Sequence, residues 1–491
     1  MISFHQKVKP IVFILLLILI CNNLKAQQSG FSPNRTYSQD SLKIWTTDIF
    51  DEMSKSHPGF YRYTSKERFD FLIDSTNQTI KNSLTELEYY RKLKPLIAQL
   101  GCLHTSISLS KKYQDYLNTS QSMLPLEIFI NSNGVVLISN SYVSDSNIPI
   151  GSEILSINGK PIHSIINKLL KAIPSDGYNQ TEKILLLNHR FSFWYQTIIE
   201  ATEKFSIKIA NNDKTEMYEV KGISKDVFPS LDAIIYGNQK TLEFEIIDNI
   251  GVLKIRSFAK TAIKENSQNF KRFIKEVFQK IQTKEIKDLI VDVRYNTGGT
   301  DSNAVLLASY FFDKPFKYWN KIEVTEAIAK DVKGLDKLFY KKPKKKGELY
   351  QWKKTWVTKE FDFYEEQKPA KNNFKGNLYI ITNGMCLSSC SDFAAILSHN
   401  KKAIIVGQET GGGYQGNTSG MMPSFIIPSG LRITMPLQKY TSAVDLTKNF
   451  GRGTIPDHIV IPNFNDWIEK KDVEMDYILK MIKGKRTKKQ L

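Results

Sequence analysis

Four short apolar runs, separated by helical patterns, most constrain what this chain can fold into. Each run is rich in isoleucine, leucine or valine, as is typical of buried strands. The four runs are Gly251–Ile255, Asp288–Val293, Asn377–Thr382 and Ala403–Gly407. Amphipathic helical patterns lie between them, among them Asn266–Lys280 and Ala304–Phe312. Strands that alternate with helices predict a layered α/β core with mainly parallel neighbours over residues 244–480.

The chain is basic, with a formal net charge of +18 over 491 residues. Such a charge would suit nucleic acid or an anionic surface. The lysines concentrate in residues 341–346, inside a charged and aromatic insertion at 313–373, and in a basic tail at 481–491. Both segments are typical of solvated loops and termini, and no nucleic-acid-binding motif accompanies them. We therefore expect no specific binding of nucleic acid.

Residues 1–26 have the pattern of a signal peptide. Lys7 and Lys9 form a basic start, an apolar run follows at Ile11–Cys21, and Ala26 offers a small residue for cleavage. The run of 11 residues is too short to cross a bilayer unaided. We expect an exported protein, periplasmic or extracellular, with no transmembrane span after cleavage. An uncleaved anchor and a lipoprotein modified at Cys21 are the alternatives.

Residues 27–122 are expected to form a mainly helical region. Apolar residues recur at helical spacing between about Tyr37 and Leu100. The period then changes to strand-like alternation at Gly101–Leu109, a segment that contains His104. The sequence therefore predicts that the helical region ends in a strand that carries this histidine.

Residues 123–223 form a second predicted unit. Its clearest signal is Ile150–Ile162, where a short strand ends in an Asn-Gly turn and a helical pattern follows at Ser164–Ala172. This segment resembles the core of a PDZ domain of the bacterial protease type. The resemblance implies capture of an extended chain by strand addition at a sheet edge. An ordinary β-hairpin is the alternative, because Asn-Gly turns are common.

The residues after the third core strand have the layout that an activated serine needs. The strand ends at Thr382, a glycine-bearing turn follows, and a helix begins close to three serines. Free N–H groups and the positive dipole end of such a helix stabilise a developing oxyanion. The alternative is an ordinary helix cap, because Ser and Asp are common N-cap residues. The three serines are Ser388, Ser389 and Ser391.

Two glycine-rich turns follow other strands of the same core. Asp292–Gly299 ends in consecutive glycines, which permit close backbone approach and expose N–H donors. Such a turn suits an oxyanion hole or a clamp on an extended peptide. Gly407–Gly413 follows the next strand, and we expect it to border the same cleft. The glycines expected to contact substrate are Gly299, Gly411 and Gly412.

The sequence gives no support for metal catalysis. Its seven histidines are scattered, without a His-x-x-x-His pair. The three cysteines outside the leader have neither the number nor the spacing of a four-ligand zinc site or a disulfide-rich scaffold. We therefore expect neither a metal nor a cofactor.

The serine turn and the two glycine-rich turns, in this order, resemble the tail-specific (C-terminal processing) serine peptidase family. The PDZ-like segment upstream and Pro456-Asp457 downstream fit the same family. The resemblance spans most of the chain after the leader, and it rests mainly on Asp292-x-Arg294-x-Asn296-x-Gly298-Gly299 and the serine turn. It implies a crotonase-like α/β peptidase core at 244–480, preceded by the N-terminal helical region and a PDZ-like domain.

The resemblance also implies roles for individual residues. In the family the nucleophile is the serine three residues before the acidic residue that opens the helix, which is Ser389 here. For the oxyanion hole we predict the backbone N–H groups of Gly298 and Cys390, the latter because the residue after a nucleophile commonly donates.

The family has two catalytic styles, which differ in the general base. The processing-protease branch uses a lysine in the loop that corresponds to Gly411–Tyr414, and no lysine stands there. The branch similar to the tricorn core protease uses a histidine from the N-terminal helical part. The matching residue is His104, which can take the proton of the serine near neutral pH and return it to the leaving amine.

Two features of this base stay open at the level of sequence. Leu103 occupies the position where the tricorn-like branch has an orienting serine, and no glutamate aligns cleanly near Pro456-Asp457. The candidates for orienting the imidazole are Ser106, Glu409, Asp445 and Asp457. Because Cys102 lies close to His104, and Cys386 close to Ser389, we also expect a Cys102–Cys386 disulfide in an oxidising compartment.

The predicted function is that of an exported serine endopeptidase that cleaves peptides or unfolded protein tails. The main alternative is a non-catalytic peptide- or ligand-binding protein on the same scaffold. A generic esterase is less favoured, because Ser389 does not lie in a Gly-x-Ser-x-Gly elbow.

Overall fold

A computed structural model describes residues 31–490 except 144–147, 213, 238, 335 and 356. The predicted signal peptide, residues 1–26, lies outside the described residues. Within these ranges, no helix combines the length and the apolar character that crossing a membrane requires.

The N-terminal region is helical, as the spacing of its apolar residues predicts. Three of its helices begin at a serine whose side chain accepts a backbone N–H of the first turn. The third helix along the chain begins with a capping box between Thr85 and Glu88. The helices are α1 (Gln39–Ser56), α2 (Lys66–Thr79), α3 (Glu86–Ala98) and α4 (Lys111–Thr119). The strands are β1 (Thr36–Tyr37), β2 (Leu84–Thr85) and β3 (Ser106–Ser108).

His104 lies in a turn rather than on the predicted strand. Only the residues of β3 pair with another strand in this segment. The backbone N–H of Thr105 donates to the carbonyl of Cys102 at 3.1 Å, which closes a turn around His104. His104 therefore lies two residues before the start of β3.

The second unit is an antiparallel sheet with helices packed on it. The predicted Asn-Gly turn is present, and Asn158 and Gly159 have φ of 48° and 72°, as a two-residue hairpin turn requires. The strand order is β4-β5-β6-β8-β9, with β7 paired to β6. The strands are β4 (Leu126–Ile130), β5 (Val136–Ser141), β6 (Glu153–Ile157), β7 (Lys160–Pro161), β8 (Lys204–Asn211) and β9 (Lys214–Lys221). The helices are α5 (Ile162–Ala172), α6 (Thr181–Trp194) and α7 (Leu231–Tyr236).

The rest of the chain alternates strands and helices. Its strands are β10 (Leu242–Ile247), β11 (Ile250–Ile255), β12 (Asp288–Asp292), β13 (Phe316–Lys317), β14 (Trp319–Val324), β15 (Lys341–Lys346), β16 (Leu349–Lys353), β17 (Glu366–Gln367), β18 (Asn377–Thr382), β19 (Ile404–Gly407), β20 (Thr418–Ser419), β21 (Ser424–Ile426), β22 (Arg432–Thr434), β23 (Gln438–Ser442) and β24 (His458–Ile459). Its helices are α8 (Lys260–Glu265), α9 (Phe270–Thr283), α10 (Asp301–Ser309), α11 (Glu326–Lys330), α12 (Asp336–Phe339), α13 (Ser389–His399), α14 (Phe464–Ile468) and α15 (Val473–Gln490).

Six of these strands form the central sheet, in the order β10-β11-β12-β18-β19-β24. Every neighbouring pair from β11 to β24 is parallel, and β10 is antiparallel to β11. The predicted α/β core with mainly parallel strands is confirmed. Because the carboxyl ends of parallel strands meet at one edge of the sheet, the turns after β12, β18 and β19 come together there.

The C-terminal segment 481–490 is helical rather than an irregular tail, although Lys483 and Lys485 are exposed, as its charge suggested. It continues α15, in which Ile478 and Ile482 lie four residues apart on one face and are buried. They pack against sheet residues such as Ile290 and Tyr379. Since this helix covers one face of the central sheet, the apolar spacing determined its structure more than the lysines did.

The insertion at 313–373 is also structured. Its strands β14, β15 and β16 join β23 and β20 in a five-stranded sheet of order β15-β16-β14-β23-β20. Lys341–Lys346, expected as a loop, is strand β15, although most of its residues are exposed. The insertion therefore extends a sheet that ends at Thr418, beside the candidate site.

Candidate active site

The serine turn is held by side chains and backbone of the preceding loop. Asn383 Oδ1 accepts the backbone N–H of Tyr295 at 3.0 Å and that of Met385 at 3.1 Å. Ser388 has φ 51° and ψ −129°, a conformation that a non-glycine residue rarely adopts. This strained residue turns the chain sharply, so that α13 begins at Ser389.

Of the two candidate serines in the first turn of α13, Ser389 has the uncommitted hydroxyl. Its side chain is buried, and its Oγ has no hydrogen-bond partner among the described residues. The Oγ of Ser391 instead donates to the carbonyl of Ser388 at 2.6 Å. An unsatisfied buried hydroxyl costs about 1–3 kcal/mol. Such a cost is typical of a functional group rather than of a structural one.

The loop Asp292–Gly299 packs against the serine turn. Asn296 accepts the backbone N–H of Leu387 at 3.1 Å, and its side chain accepts that of Gly298 at 2.9 Å. Gly298 has φ 95°, and a Cβ at this position would lie 2.8 Å from the carbonyl oxygen of Leu387. Glycine is therefore required here both by conformation and by the close approach of the two loops.

The two predicted oxyanion donors are both engaged. The N–H of Gly298 donates to Asn296 Oδ1, and that of Cys390 donates to the carbonyl of Leu387 at 3.0 Å. An oxyanion would have to share or displace these acceptors. The N–H of Ser389, in the first turn of α13, has no such acceptor among the described hydrogen bonds.

The three glycines expected to contact substrate lie in different surroundings. A Cβ on Gly411 would lie 2.1 Å from the carbonyl oxygen of Gly384, and one on Gly412 would lie 2.1 Å from Ser391 Oγ. Both are buried against the serine turn. Gly299 is exposed, but a Cβ there would lie 2.2 Å from the backbone nitrogen of Ala259. Gly411 and Gly412 thus pack against the serine turn, whereas Gly299 packs against the backbone of Phe258 and Ala259.

Asp176 links the loop after β19 to the turn that carries His104. Its Oδ1 accepts the backbone N–H of Leu103 at 3.1 Å, and its Oδ2 accepts that of Gly413 at 3.1 Å. Gly412, the residue before Gly413, donates its own N–H to the carbonyl of Cys386 at 3.1 Å. A short path of direct contacts therefore joins the serine turn to the His104 turn.

The imidazole of His104 is largely enclosed and has a nitrogen available. Its Nδ1 is buried and has no hydrogen-bond partner within the described part of the chain. Burial lowers the pKa of His104, while the nearby Asp176 carboxylate and the Thr418 backbone oppose that decrease. His104 is therefore neutral near pH 7, the state that a general base needs.

Asp176 is not among the residues that the sequence indicated as orienting groups. The four that it did indicate have other hydrogen-bond partners or lie on β3. Glu409 pairs with Arg452 at 2.6 Å, Asp445 accepts from Thr447, and Asp457 accepts the backbone N–H of Ile405. Ser106 is in β3. Asp176 stands in Pro-Ser-Asp-Gly, an ordinary turn sequence that gives no signal of catalysis.

The expected disulfide between Cys102 and Cys386 is wrong. Cys102, Cys386 and Cys390 are all free and buried. Cys102 Sγ donates to the carbonyl of Thr418 at 3.4 Å, and Cys386 Sγ donates to that of Val293 at 3.0 Å. The two thiols therefore face different loops, although both lie near the candidate site.

Asp392, the acidic residue that follows Ser389 by three positions, is buried beneath the serine turn. Burial raises its pKa to about 7, against a hydrogen bond from Ser442 Oγ at 3.2 Å, and the negative charge of Asp176 adds to the increase. The serine helix therefore begins over a buried carboxyl group whose pKa lies well above its usual value.

The core sequence and the overall fold both resemble known proteins. Residues 249–460 match the sequence model of Peptidase family S41. The fold is similar to that of mature CPAF, with a TM-score of 0.62 and 14% identity over 89% of this chain and 95% of that chain. Mature CPAF complexed with lactacystin matches with a TM-score of 0.61 and 14% identity, over 90% of this chain and 97% of that chain. The tricorn protease matches with a TM-score of 0.38 and 13% identity, over 90% of this chain and 36% of that chain.

The family match covers β11 to β24, and so includes the strands whose carboxyl ends carry the serine turn and both glycine-rich turns. The likeness to CPAF extends the common fold over nearly the whole chain. The match of residues 249–460 to Peptidase family S41, over the strands that carry these turns, therefore identifies the chain as a serine-type peptidase.

Proposed function

We propose that the chain is an exported serine endopeptidase in which Ser389 is the nucleophile, His104 the general base and Asp176 the residue that orients His104. One observation carries the proposal. Ser389 Oγ and His104 Nδ1 are both buried without a hydrogen-bond partner in the described structure, and Gly412, Gly413 and Asp176 connect the turns that hold them. A nucleophile and a base that await substrate have these properties.

The reaction follows from these groups. Ser389 Oγ attacks the carbonyl carbon of the scissile peptide, and His104 takes the hydroxyl proton. The tetrahedral intermediate collapses when the carbon–nitrogen bond breaks and His104 gives its proton to the leaving amine. Water then attacks the acyl-enzyme, again with His104 as base, and releases the acid and Ser389. Asp176 keeps its charge and stabilises the imidazolium that forms in each step.

A histidine base places the chain with the tricorn-like style rather than with the Ser/Lys style. The loop Gly411–Tyr414, where the Ser/Lys style has its lysine, packs closely on the serine turn. Its glycines leave no room for a side chain there. The proposal therefore includes a crotonase-like core whose base comes from the N-terminal helical region.

Substrate capture is assigned to the antiparallel sheet of residues 123–223, as a PDZ-like domain. Its edge strand β9 is largely exposed and pairs only with β8 among the described strands. An extended peptide or an unfolded protein tail fits such an edge by adding a strand. Export is inferred from the leader pattern at residues 1–26.

A fluorophosphonate probe tests the enzyme against the alternative of a peptide-binding protein. We expect covalent labelling of the wild-type protein at Ser389, because only an activated serine reacts with this probe class. Ser389→Ala should abolish labelling. Ser391→Ala is the matched control and should keep it, since the Ser391 hydroxyl serves the backbone of Ser388. Labelling that moves to another serine, or that never occurs, would contradict the nucleophile assignment.

Asp176→Asn tests the orienting role. The carboxylate accepts one backbone N–H on each oxygen, and an amide would turn a donor toward one of them. We expect kcat to fall by about 10²–10⁴-fold, as for other orienting aspartates. Because the Asp176 charge raises the pKa of His104, its loss should move the acidic limb of the pH–rate profile to lower pH.

The control for this variant is Asp445→Asn, which removes a half-exposed carboxylate whose partners are Thr447 and Lys448. Its kcat and pH profile should stay close to those of the wild type. An Asp176→Asn protein that loses activity without any movement of the acidic limb would show a structural role only.

A further inference from the structure

Three potential metal ligands converge at the His104 turn. One ligand atom each from Cys102, His104 and Asp176 lies within 4.8 Å of the other two. A tetrahedral Zn²⁺ site with bonds of about 2.0–2.3 Å holds its ligand atoms about 3.3–3.8 Å apart. A small movement of the imidazole and the thiol is therefore enough to reach that geometry.

The ligand set suits Zn²⁺ in chemical type. Zinc takes thiolate, imidazole and carboxylate together, and three protein ligands leave a fourth position for water. His104 Nδ1 is buried without a hydrogen-bond partner in the described residues, so one nitrogen of the ring is available. His104 as a whole is only partly buried, which leaves a route from solvent.

Charge also favours a divalent cation. A thiolate at Cys102 and a carboxylate at Asp176 together balance the two positive charges of Zn²⁺, so the buried cluster becomes neutral on binding. The guanidinium of Arg62 acts on Asp176 from nearby, but it donates to the carbonyl of Gly416 at 3.2 Å rather than to the carboxylate. The thiol of Cys102, which donates to the carbonyl of Thr418, has to lose its proton when Zn²⁺ binds.

The carboxylate is already oriented. The backbone N–H groups of Leu103 and Gly413 hold one oxygen each, which leaves the remaining lone pairs in fixed directions. Hydrogen bonds of this kind typically fix the ligands of natural metal sites.

We propose that Cys102, His104 and Asp176 form an inhibitory Zn²⁺ site. The inhibitory effect rests on the proposed function, since a zinc ion on His104 would occupy the imidazole that has to take the proton of Ser389. Zinc binding itself does not rest on it. Cys102 has no part in the proposed reaction, so its thiol separates metal binding from catalysis.

Binding is tested with Co²⁺ as a spectroscopic probe in the Ser389→Ala protein. We expect a thiolate-to-cobalt charge-transfer band that Zn²⁺ removes by competition. The band should disappear with Cys102→Ser in the same background and persist with Cys386→Ser. Cys102→Ser keeps a donor toward the carbonyl of Thr418, and Cys102→Ala provides a second variant if the serine disturbs folding. A missing band, or one that survives both Cys102 substitutions, overturns the site.

Inhibition is tested with Zn²⁺ on peptide hydrolysis by otherwise native protein. Wild type should be inhibited, and Cys102→Ser should hydrolyse peptide comparably but need at least about 100-fold more Zn²⁺ for the same inhibition. If cobalt binds through Cys102 while zinc leaves hydrolysis unchanged, the metal site stands and the role of His104 as base is wrong. Equal zinc sensitivity of both proteins would overturn the inhibitory role.

Discussion

Ser389→Ala should lower kcat for peptide hydrolysis by about 10⁶-fold, the loss seen when a serine nucleophile is removed from a triad. The physical reason is that the neighbouring hydroxyl of Ser391 cannot replace it. Ser391 Oγ is bound to the carbonyl of Ser388, and it lies beside Gly412 rather than free to attack. The measurement is the steady-state rate on an unstructured peptide, with substrate and product followed by mass spectrometry.

His104→Ala should produce a loss of similar size, and the double variant should be no worse than either single one. Groups that act as one unit in proton transfer lose their combined effect when either is removed. Ser391→Ala serves as the control and should retain most of the wild-type rate. Additive losses in the double variant, or normal turnover by either single variant, would refute a shared mechanism.

The second large effect concerns stability, and it is expected at Arg294. Its guanidinium bonds to Asp292 at 2.7 Å, to Asp472 at 2.8 Å and to Glu474 at 3.1 Å. Asp292 and Glu474 are buried, and Asp292 closes the strand that leads into the Gly298 turn. The network therefore ties the start of α15 to the loop beside the nucleophile.

Arg294→Met should lower the free energy of unfolding by about 3–5 kcal/mol, because it leaves buried carboxylates without their counter-charge. Burial by itself would raise the pKa of Asp292, but the Arg294 charge and hydrogen bonds hold it below its usual value. Without Arg294 that balance reverses, so the ionised carboxylate becomes a cost. Urea unfolding followed by tryptophan fluorescence measures the change.

The matched control is Arg272→Met on the exposed face of α9. Arg272 forms a surface pair with Glu276 at 3.9 Å, and such pairs contribute about 0–1 kcal/mol. Its loss should change the unfolding free energy little. A comparable effect from both arginines would mean that the Arg294 network is no more than a surface ion pair.

Much of the core was predictable because its signals are local. The four apolar runs became β11, β12, β18 and β19, and a strand followed by a glycine turn and a helix marked the serine segment. The spacing of apolar residues and the composition of turns involve only neighbours a few residues away. Both can therefore be recognised in the sequence.

Other predictions failed where a local pattern met a longer-range contact. The basic tail is helical because Ile478 and Ile482, on the same helix, pack against the central sheet. Lys341–Lys346 became a strand because β16 lay beside it. The disulfide was expected from closeness to the site, but Cys102 and Cys386 donate to different carbonyls. The sequence pattern around each of these segments does not indicate which distant residues it contacts.

The sequence by itself determined the alternation of strands and helices in the core and the three turns at one edge of the sheet. Only the tertiary structure decided which carboxylate lies within 4.8 Å of the imidazole. Asp176 and Gly413 are 237 positions apart, and their hydrogen bond exists because two loops from separate units pack together. Such a contact depends on how whole sheets and helices pack against one another. The four-residue turn that contains Asp176 does not indicate it.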